Sequence, residues 1–328
     1  MFTKEIGIDL GTANILIYVR GEGIVIDEPS VVAMDANTKK CLAAGSEAKA
    51  MLGRTPGKIL AIRPLKDGVI ADYEMTEMML DFFLKKLAIK GMFSRPTILI
   101  CCPTNITSVE RNAIRDTAYR AGAKKVYIEE EPKVAAIGAG LDIGKPNGSM
   151  IIDIGGGTSD VAVLSLGDIV TSFSMKVAGD VMDENIVKYV KEHKKLLIGE
   201  RSAEQIKKTI GTAWQADPNI SMEISGRDLI SGLPNTVSIN SVEVEASIHD
   251  CLNTIVRGAK TVLEQTPPEL AADIITRGIV VSGGGALLKG IADLLRSELG
   301  VPVYISENPL YCVGEGCGIM LDNLSLLK

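Results

Sequence analysis

The chain has 328 residues and a formal net charge of −6, and 46% of its residues are hydrophobic although only 4% are aromatic. This length allows two domains with separate cores, which must be built from Ile, Leu, Val, Ala and Met. The negative charge argues against a general nucleic-acid binder, and no apolar run approaches the ~20 residues that a membrane span requires.

Cysteine and histidine usage gives no sign of a structural metal site. The six cysteines form no CxxC pair, and His193 and His249 stand alone, so a structural zinc site is not expected. Cys101 and Cys102 lie in an apolar stretch and are predicted to pack as small hydrophobic residues. No signal peptide precedes the first predicted strand, and we therefore expect the protein to reside in the reducing cytoplasm.

The chain opens with a predicted hairpin over residues 6–17. An apolar strand ends at Asp9, the segment Gly11-Thr12-Ala13-Asn14 forms the turn, and a second apolar strand follows. Strands are then predicted over residues 23–26 and 30–34, a helix over 45–52, a loop over 63–68 and an amphipathic helix over about 76–88.

The segment from residue 90 to 96 places Met92 and Phe93 in a loop bounded by glycine and proline. Lys85, Lys86, Lys90 and Arg95 flank this pair, and exposed apolar side chains ringed by cations suit insertion into an anionic membrane surface. The alternative is a loop whose Phe93 folds back onto its own domain. Composition alone leaves both interpretations open.

A buried strand over residues 97–102 precedes a helix that runs to about 121, with Thr107 and Glu110 at the spacing of a capping box. The next strand, residues 126–128, runs into three glutamates that we expect to open a helix reaching about residue 141. A solvated charge run would explain these carboxylates. A glutamate at a junction beside a nucleotide cleft could instead position an attacking water.

A second hairpin, residues 149–164, repeats the first. Its first strand ends at Asp153, its turn holds Gly155, Gly156, Gly157 and Thr158, and an apolar strand follows. An ordinary glycine-rich turn would explain one copy. Glycines permit positive φ and close approach of backbone N–H groups, which with hydroxyls form an anion cradle, and Asp153 could hold a metal ion through water.

The two aspartates lie 144 residues apart, a spacing that predicts two related domains facing each other across a cleft. Their hairpins would then clamp one nucleotide from opposite sides.

The second half is predicted to hold a helix over residues 180–193 and another from Glu200. Glu204 and Lys207 share a face of that second helix and could reach a ribose or base, although a solvated face would also explain them. Short strands are predicted over residues 222–226, 236–239 and 243–244, and a long helix over 245–265.

The C-terminal region contains a buried strand followed by Gly283, Gly284, Gly285 and Ala286, which we predict to start a helix beneath a nucleotide. A last strand is predicted over residues 301–304. The final predicted helix carries glycines over residues 313–318 that would permit close packing at a hinge between the halves.

Taken together, these motifs resemble the actin-type ATPase superfamily, within it the MreB family of bacterial actin homologues, and most of all its MreB-like branch, Mbl. The resemblance spans essentially the whole chain and is carried by residues 6–14, 63–72, 129–138, 153–160, 197–201 and 266–270. Ser159 replaces a threonine common in the family, and the final helix is less alanine-rich than the family pattern.

The resemblance implies an α/β actin-like fold of two duplicated domains, or four subdomains, around an ATP cleft. Domain I would span residues 1–144 with a small subdomain inserted at about 30–70. Domain II would span 145–328 with an insert at about 182–250, and its last helix would return toward domain I.

Site roles also follow from the resemblance. Asp9 and Asp153 would organise Mg²⁺ through its water shell, and Glu131, with Thr158, would position the attacking water. Glu204 and Lys207 would contact the nucleoside. The residues implied to cradle the phosphates or underlie the nucleotide are Gly11, Thr12, Ala13, Asn14, Gly155, Gly156, Gly157, Thr158, Gly283, Gly284, Gly285 and Ala286.

The resemblance further implies slow ATP hydrolysis coupled to polymerisation into paired protofilaments. These would lie on the inner face of the plasma membrane, attached through Met92 and Phe93, and would act with cell-wall elongation proteins to maintain rod shape. The chain would thus be cytoplasmic and peripheral to the membrane, with no nucleic-acid partner.

Three rival functions would each require a different feature of the sequence. A soluble small-molecule kinase of the same superfamily needs a second-substrate pocket, and no insertion is large enough to supply one. A chaperone ATPase would carry a substrate-binding domain after the ATPase unit. A scaffold with an inactive site would be expected to lose Glu131, Asp153 or Thr158, and all three are present.

Overall fold

The computed structural model describes residues 4–87 and 95–323, so Met92 and Phe93, predicted to contact a membrane, lie outside the described residues. Among the helices that are described, none combines the length and the apolar character needed to cross a membrane. The following elements are numbered in chain order.

The first half, residues 4–138, contains the following strands and helices: β1 (Glu5–Leu10), β2 (Asn14–Val19), β3 (Gly23–Pro29), β4 (Val32–Asp35), β5 (Cys41–Ala44), α1 (Ser46–Met51), β6 (Ile59–Ile62), β7 (Leu65–Lys66), β8 (Val69–Ile70), α2 (Tyr73–Lys86), β9 (Thr97–Cys102), α3 (Ser108–Arg120), β10 (Lys125–Glu130) and α4 (Glu131–Gly138).

The second half, residues 149–305, and the helix that follows it contain β11 (Ser149–Ile154), β12 (Ser159–Ser165), β13 (Asp168–Met175), α5 (Gly179–His193), β14 (Leu196–Leu197), α6 (Glu200–Ile210), β15 (Ser221–Asp228), β16 (Pro234–Asn240), α7 (Ser241–Gln265), α8 (Pro268–Arg277), β17 (Ile279–Ser282), a 3₁₀ turn (Gly284–Leu287), α9 (Ile291–Leu299), β18 (Val303–Ile305) and α10 (Cys312–Asp322).

Each half is built on a five-stranded sheet, and the two sheets share one topology. The orders are β3-β2-β1-β9-β10 in the first and β13-β12-β11-β17-β18 in the second. In both, the first three strands form an antiparallel meander, and the last two join in parallel. The repeated hairpins of the sequence are therefore the start of a repeated sheet.

Smaller sheets interrupt both halves. A three-stranded sheet, β5-β4-β6, is inserted in the first half, and β14-β15-β16 is inserted in the second. These inserts lie within the residue ranges proposed from the sequence, whereas the domain boundaries themselves stay predictions.

The central strands are apolar on both faces because each sheet is covered on both sides. Every residue of β11 is buried, and Ile6, Ile8, Ile15 and Ile17 of the first hairpin are completely inaccessible to solvent. One core cluster joins Leu99 and Ile151, from the two sheets, with buried residues of α4 and α10. These two helices therefore connect the halves.

Helices α4 and α10 approach closely through glycine. A Cβ added at Gly138 would lie 1.8 Å from the carbonyl oxygen of Cys312, and one at Gly316 would lie 2.0 Å from that of Val134. The predicted close packing of the final helix between the halves is therefore confirmed.

Three local predictions were wrong. Residues 243–244 are helical, because Asn240 and Glu243 form the capping box that starts α7. Glu129 and Glu130 end β10, so only Glu131 opens α4, which stops at Gly138. After Gly283 the chain makes a 3₁₀ turn, and the helix proper begins at Ile291.

Candidate functional site

The two hairpin turns meet at a cavity of about 630 Å³. Both turns follow strands that run parallel to their inner neighbours, so β1 and β11 deliver Asp9 and Asp153 to the same end of their sheets. Of the residues predicted to bind nucleotide, metal or water, all but Ala286 line this cavity. Residues separated by more than 270 positions thus form one surface.

Glycine in these turns is required by close approach. A Cβ at Gly156 would lie 2.6 Å from the Cβ of Ala13, and one at Gly157 would lie 2.5 Å from Thr12 Oγ1. The positive φ that glycine permits is not used at residues 155–157, since none of the three has a positive φ. The glycines instead let the tips of the two hairpins touch.

Three carboxyl groups converge in the cavity, and the pKa of each lies above its usual range. Burial and the nearby charge of Asp153 raise the pKa of Asp9 to about 7. Burial raises the pKa of Asp153 to about 6, although a hydrogen bond from Ser282 Oγ (2.5 Å) opposes this rise. Burial, with repulsion from Asp160, Asp9 and Asp153, holds the pKa of Glu131 well above its usual range.

This donor set fits a hydrated Mg²⁺ ion. Mg²⁺ is usually held by one or two carboxylates together with waters and phosphate oxygens. Asp9 and Asp153 supply hard oxygen donors whose mutual repulsion a divalent cation would relieve. The described residues contain no group of three or more His, Cys, Asp or Glu side chains that could cage a metal directly. The two carboxylates would leave the remaining coordination positions to water and phosphate oxygens.

The first turn is held by hydrogen bonds beyond its own hairpin. Ser30 Oγ donates to the carbonyl oxygen of Gly11 at 2.6 Å. Asn14 Nδ2 donates to Asp27 Oδ1 at 2.9 Å, and the Tyr311 hydroxyl donates to Asp27 Oδ2 at 3.1 Å. Because Tyr311 immediately precedes α10, the first turn is linked to the start of the helix that joins the halves.

A third hairpin tip, within the loop predicted over residues 63–68, reaches the same cavity. Strands β7 and β8 are joined by Asp67 and Gly68, both with positive φ, as a two-residue hairpin turn requires. The Gly68 N–H donates to Thr12 Oγ1 at 3.1 Å, and a Cβ at Gly68 would lie 2.7 Å from Thr158 Cγ2. The Asp-Gly dipeptide was the available signal for this turn.

Glu204 and Lys207 line the cavity, but each already has protein partners. Glu204 accepts hydrogen bonds from Lys49 of α1 and Lys208 of its own helix. Burial opposes ionisation, but these two partners prevail and lower the pKa of Glu204 to about 2. Lys207 Nζ donates to the carbonyl oxygen of Gly179 at 2.7 Å and to Asp183 Oδ2 at 2.9 Å.

The third glycine turn forms the wall of the cavity on the side of the second sheet. Gly283, at φ 80°, would place a Cβ 2.4 Å from the carbonyl oxygen of Ile154, so only glycine fits here. Gly284 and Gly285 line the cavity, whereas the Ala286 side chain packs into the core of the second half. The Ala286 methyl faces inward, so the predicted contact of Ala286 with the ligand is not made by its side chain and stays a prediction for its backbone.

Comparisons with known proteins agree with this architecture. The family model described as MreB/Mbl protein matches residues 3–328. The chain is 59% identical over 327 residues to the cell shape-determining protein Mbl of Bacillus subtilis (strain 168), with 100% of this chain and 98% of that protein covered.

Two solved structures share the fold. MreB 5 of Spiroplasma citri bound to AMPPNP superimposes with a TM-score of 0.94 at 41% identity, covering 99% of this chain and 98% of that one. The MamK double helical filament gives 0.83 at 21% identity, covering 98% and 99%, a likeness of fold alone. The predicted actin-like α/β fold is confirmed, and the chain belongs to the MreB/Mbl family of bacterial actin homologues.

Proposed function

We propose that this chain binds Mg²⁺ and ATP in the cavity between its halves and polymerises into paired protofilaments, with slow ATP hydrolysis coupled to assembly. The observation that carries this proposal is the meeting of two duplicated hairpin turns with three carboxyl groups in one cavity. An ATP analogue is bound in the related Spiroplasma citri structure, and MamK forms a filament.

Each group in the cavity has a role in this proposal. Backbone N–H groups of the two turns, with the hydroxyls of Thr12 and Thr158, bind the β- and γ-phosphates. Asp9 and Asp153 would hold Mg²⁺ through water, where the ion would supply positive charge to offset that on the phosphate oxygens. Glu131 orients the attacking water, as is general in phosphoryl transfer. Glu204 and Lys207 contact the nucleoside, above Gly283 to Gly285.

Coupling to assembly follows from the division of the site. The groups of the site belong to two sheets, so hydrolysis requires that the two halves are closed around the nucleotide. Contact with a neighbouring subunit in the filament stabilises this closed arrangement.

We also propose that the filament lies on the inner face of the plasma membrane and acts with cell-wall elongation proteins in shape maintenance. The relative in Bacillus subtilis is a cell shape-determining protein. Met92 and Phe93, flanked by Lys85, Lys86 and Arg95, are the proposed membrane contact because apolar side chains among cations suit an anionic surface.

The test is sedimentation with anionic liposomes, with and without Mg-ATP, combined with phosphate-release measurements. The wild type should co-sediment with liposomes. Met92→Ser/Phe93→Ser should still assemble with Mg-ATP but should not bind to the liposomes. Val109→Ser is the matched control, since Val109 is 72% exposed on α3 and should behave as wild type. Glu131→Ala should assemble but lower phosphate release by on the order of 100-fold or more.

One pattern of results would reject this function. If nothing assembles and phosphate leaves ATP only when a small acceptor molecule is added, the chain is a soluble kinase of the same superfamily.

A further inference from the structure

Two ion pairs cross the cavity and join the halves. Lys49 Nζ of α1 lies 3.0 Å from Glu204 Oε2 of α6. Arg63, which follows β6, places Nη1 3.1 Å from Oδ1 of Asp180 in the first turn of α5. All four side chains are partly buried. Because the partners of each pair belong to different halves, rotation of the halves apart would break both pairs.

Arg63 begins a strap, residues 63–72, that lies over the proposed phosphate site. The N–H groups of Ala71 and Asp72 both donate to the carbonyl oxygen of Pro64, at 2.9 and 3.1 Å, which closes the base of the β7–β8 hairpin. At the other end, Gly68 contacts Thr12 and Thr158, one from each hairpin turn. The strap therefore links Arg63 to residues proposed to surround the γ-phosphate.

Backbone hydrogen bonds hold Asp180 against the second hairpin turn. Its N–H donates to the carbonyl oxygen of Gly156 at 2.8 Å, and the N–H of Gly179 donates to that of Gly155 at 3.2 Å. The Asp180 carboxylate thus moves with the turn proposed to hold the phosphates. The Arg63 guanidinium connects this turn to the strap, whose Gly68 contacts Thr12 and Thr158.

We propose that the Arg63–Asp180 ion pair is a positioning device for hydrolysis, which holds the strap tip against Thr158 when the cavity is closed around ATP. The inference rests on the proposed function, since it assumes that ATP occupies this cavity. The turn glycines, Thr12 and Thr158 belong to the two hairpins, and the pair itself does not hold them. Its loss therefore affects the arrangement of reacting groups more than it affects nucleotide affinity.

The test compares Arg63→Gln, Asp180→Asn and the charge-exchanged double variant Arg63→Asp/Asp180→Arg with the wild type. For each single variant, phosphate release at saturating Mg-ATP should fall by on the order of 10- to 100-fold, the cost of a small misplacement. The Kd for the non-hydrolysable analogue AMPPNP should stay within about threefold. The double variant should recover most of the lost rate, which a general loss of structure would not allow.

Arg63→Lys keeps the charge without the planar fork and should give an intermediate rate. It also serves if a neutral variant fails to fold. The matched control is the Lys260–Glu298 pair, at 2.8 Å, which joins α7 to α9 within the second half. Lys260→Gln should release phosphate at the wild-type rate.

Two results would overturn the inference and leave the proposed function standing. Single variants with wild-type rates would show that the pair positions nothing. Parallel losses of rate and AMPPNP affinity, without recovery in the double variant, would show a role in binding alone. A wild type that neither binds AMPPNP nor releases phosphate would instead reject the proposed function, and the inference with it.

Discussion

The buried carboxylate of Asp183 has a hydrogen-bond partner among the described residues at only one of its two oxygens. Its Oδ2 accepts a hydrogen bond from Lys207, whereas Oδ1 has no hydrogen-bond partner among the described residues. A buried carboxylate oxygen without a donor is costly, and Lys207 offsets this cost only in part. Burial accordingly raises the pKa of Asp183 to about 6.

This pKa makes stability depend on pH at a single residue. The folded pKa of about 6 lies above the usual value of 3.8, so the folded state binds more protons between these values. The stability gained from this tighter proton binding is complete below the unfolded pKa of Asp183 and is lost as the pH rises through 6. In nucleotide-free protein, Asp183→Asn should therefore raise the free energy of unfolding by about 2 kcal/mol near pH 7.5, and by roughly half as much near pH 5.

Urea unfolding of wild type and Asp183→Asn at both pH values measures this difference. Asp217→Asn, at an exposed loop position, is the control and should show no comparable dependence. A destabilised Asp183→Asn at the higher pH would mean that the attraction of Lys207 outweighs the cost of burial.

At the scale of elements, the contact between α4 and α10 depends on the absence of side chains. A methyl group at Gly316 would overlap the carbonyl oxygen of Val134, and backbone on both sides prevents relief by a rotamer change. Gly316→Ala should therefore lower the free energy of unfolding by about 3 kcal/mol, at the upper end of overpacking costs.

Gly144→Ala provides the comparison, because its nearest contact would be Asp142 Oδ1 at 3.8 Å and Gly144 is exposed. Chemical denaturation of both variants decides the question. Equal stabilities would show that the two helices can separate at no cost.

Elements defined by local patterns were predictable from the sequence. The duplicated hairpins were predictable because an apolar strand, Asp, Gly and Thr recur in the same order in both. The capping box at Thr107 was also found, whereas the one at Asn240 was missed because apolar residues 242 and 244 alternate as in a strand.

Within the site, the residues on the hairpin turns were predictable, but their cross-cleft partners were not. Lys49, Arg63 and Asp180 are ordinary surface charges in sequence, and each meets its partner only because the two halves face each other across the cavity. Their pairing is a property of tertiary structure, with partners more than 100 residues apart. The inward position of the Ala286 methyl was not predictable for a related reason, since a glycine-rich turn does not reveal which side chain points inward.

At the scale of the whole molecule, a nucleotide that contacts both halves should stabilise both. A ligand that binds only the folded state at 100 times its Kd adds about 2.7 kcal/mol. Saturating Mg-ATP should therefore raise the melting temperature by several degrees, and removal of Mg²⁺ with EDTA should abolish most of the gain. Without the ion, Asp9 and Asp153 repel the phosphates.

Differential scanning calorimetry with ATP, AMP and each in EDTA measures this effect. AMP lacks the β- and γ-phosphates and should produce a small shift that is insensitive to EDTA. An ATP shift that survives EDTA unchanged would contradict the roles proposed for the two aspartates.

The position of α10 also constrains how the chain is made. Cys317 of α10 lies where a Cβ on Gly7 of β1 would be, 2.3 Å from the Cys317 Cβ, so the last helix covers the first strand. A ribosome working at the usual rate needs roughly 15–60 s to translate the residues between them. During this interval the first sheet is synthesised but lacks its cover. Its apolar face is then accessible to chaperones, and completion of the first half must wait until α10 has been synthesised.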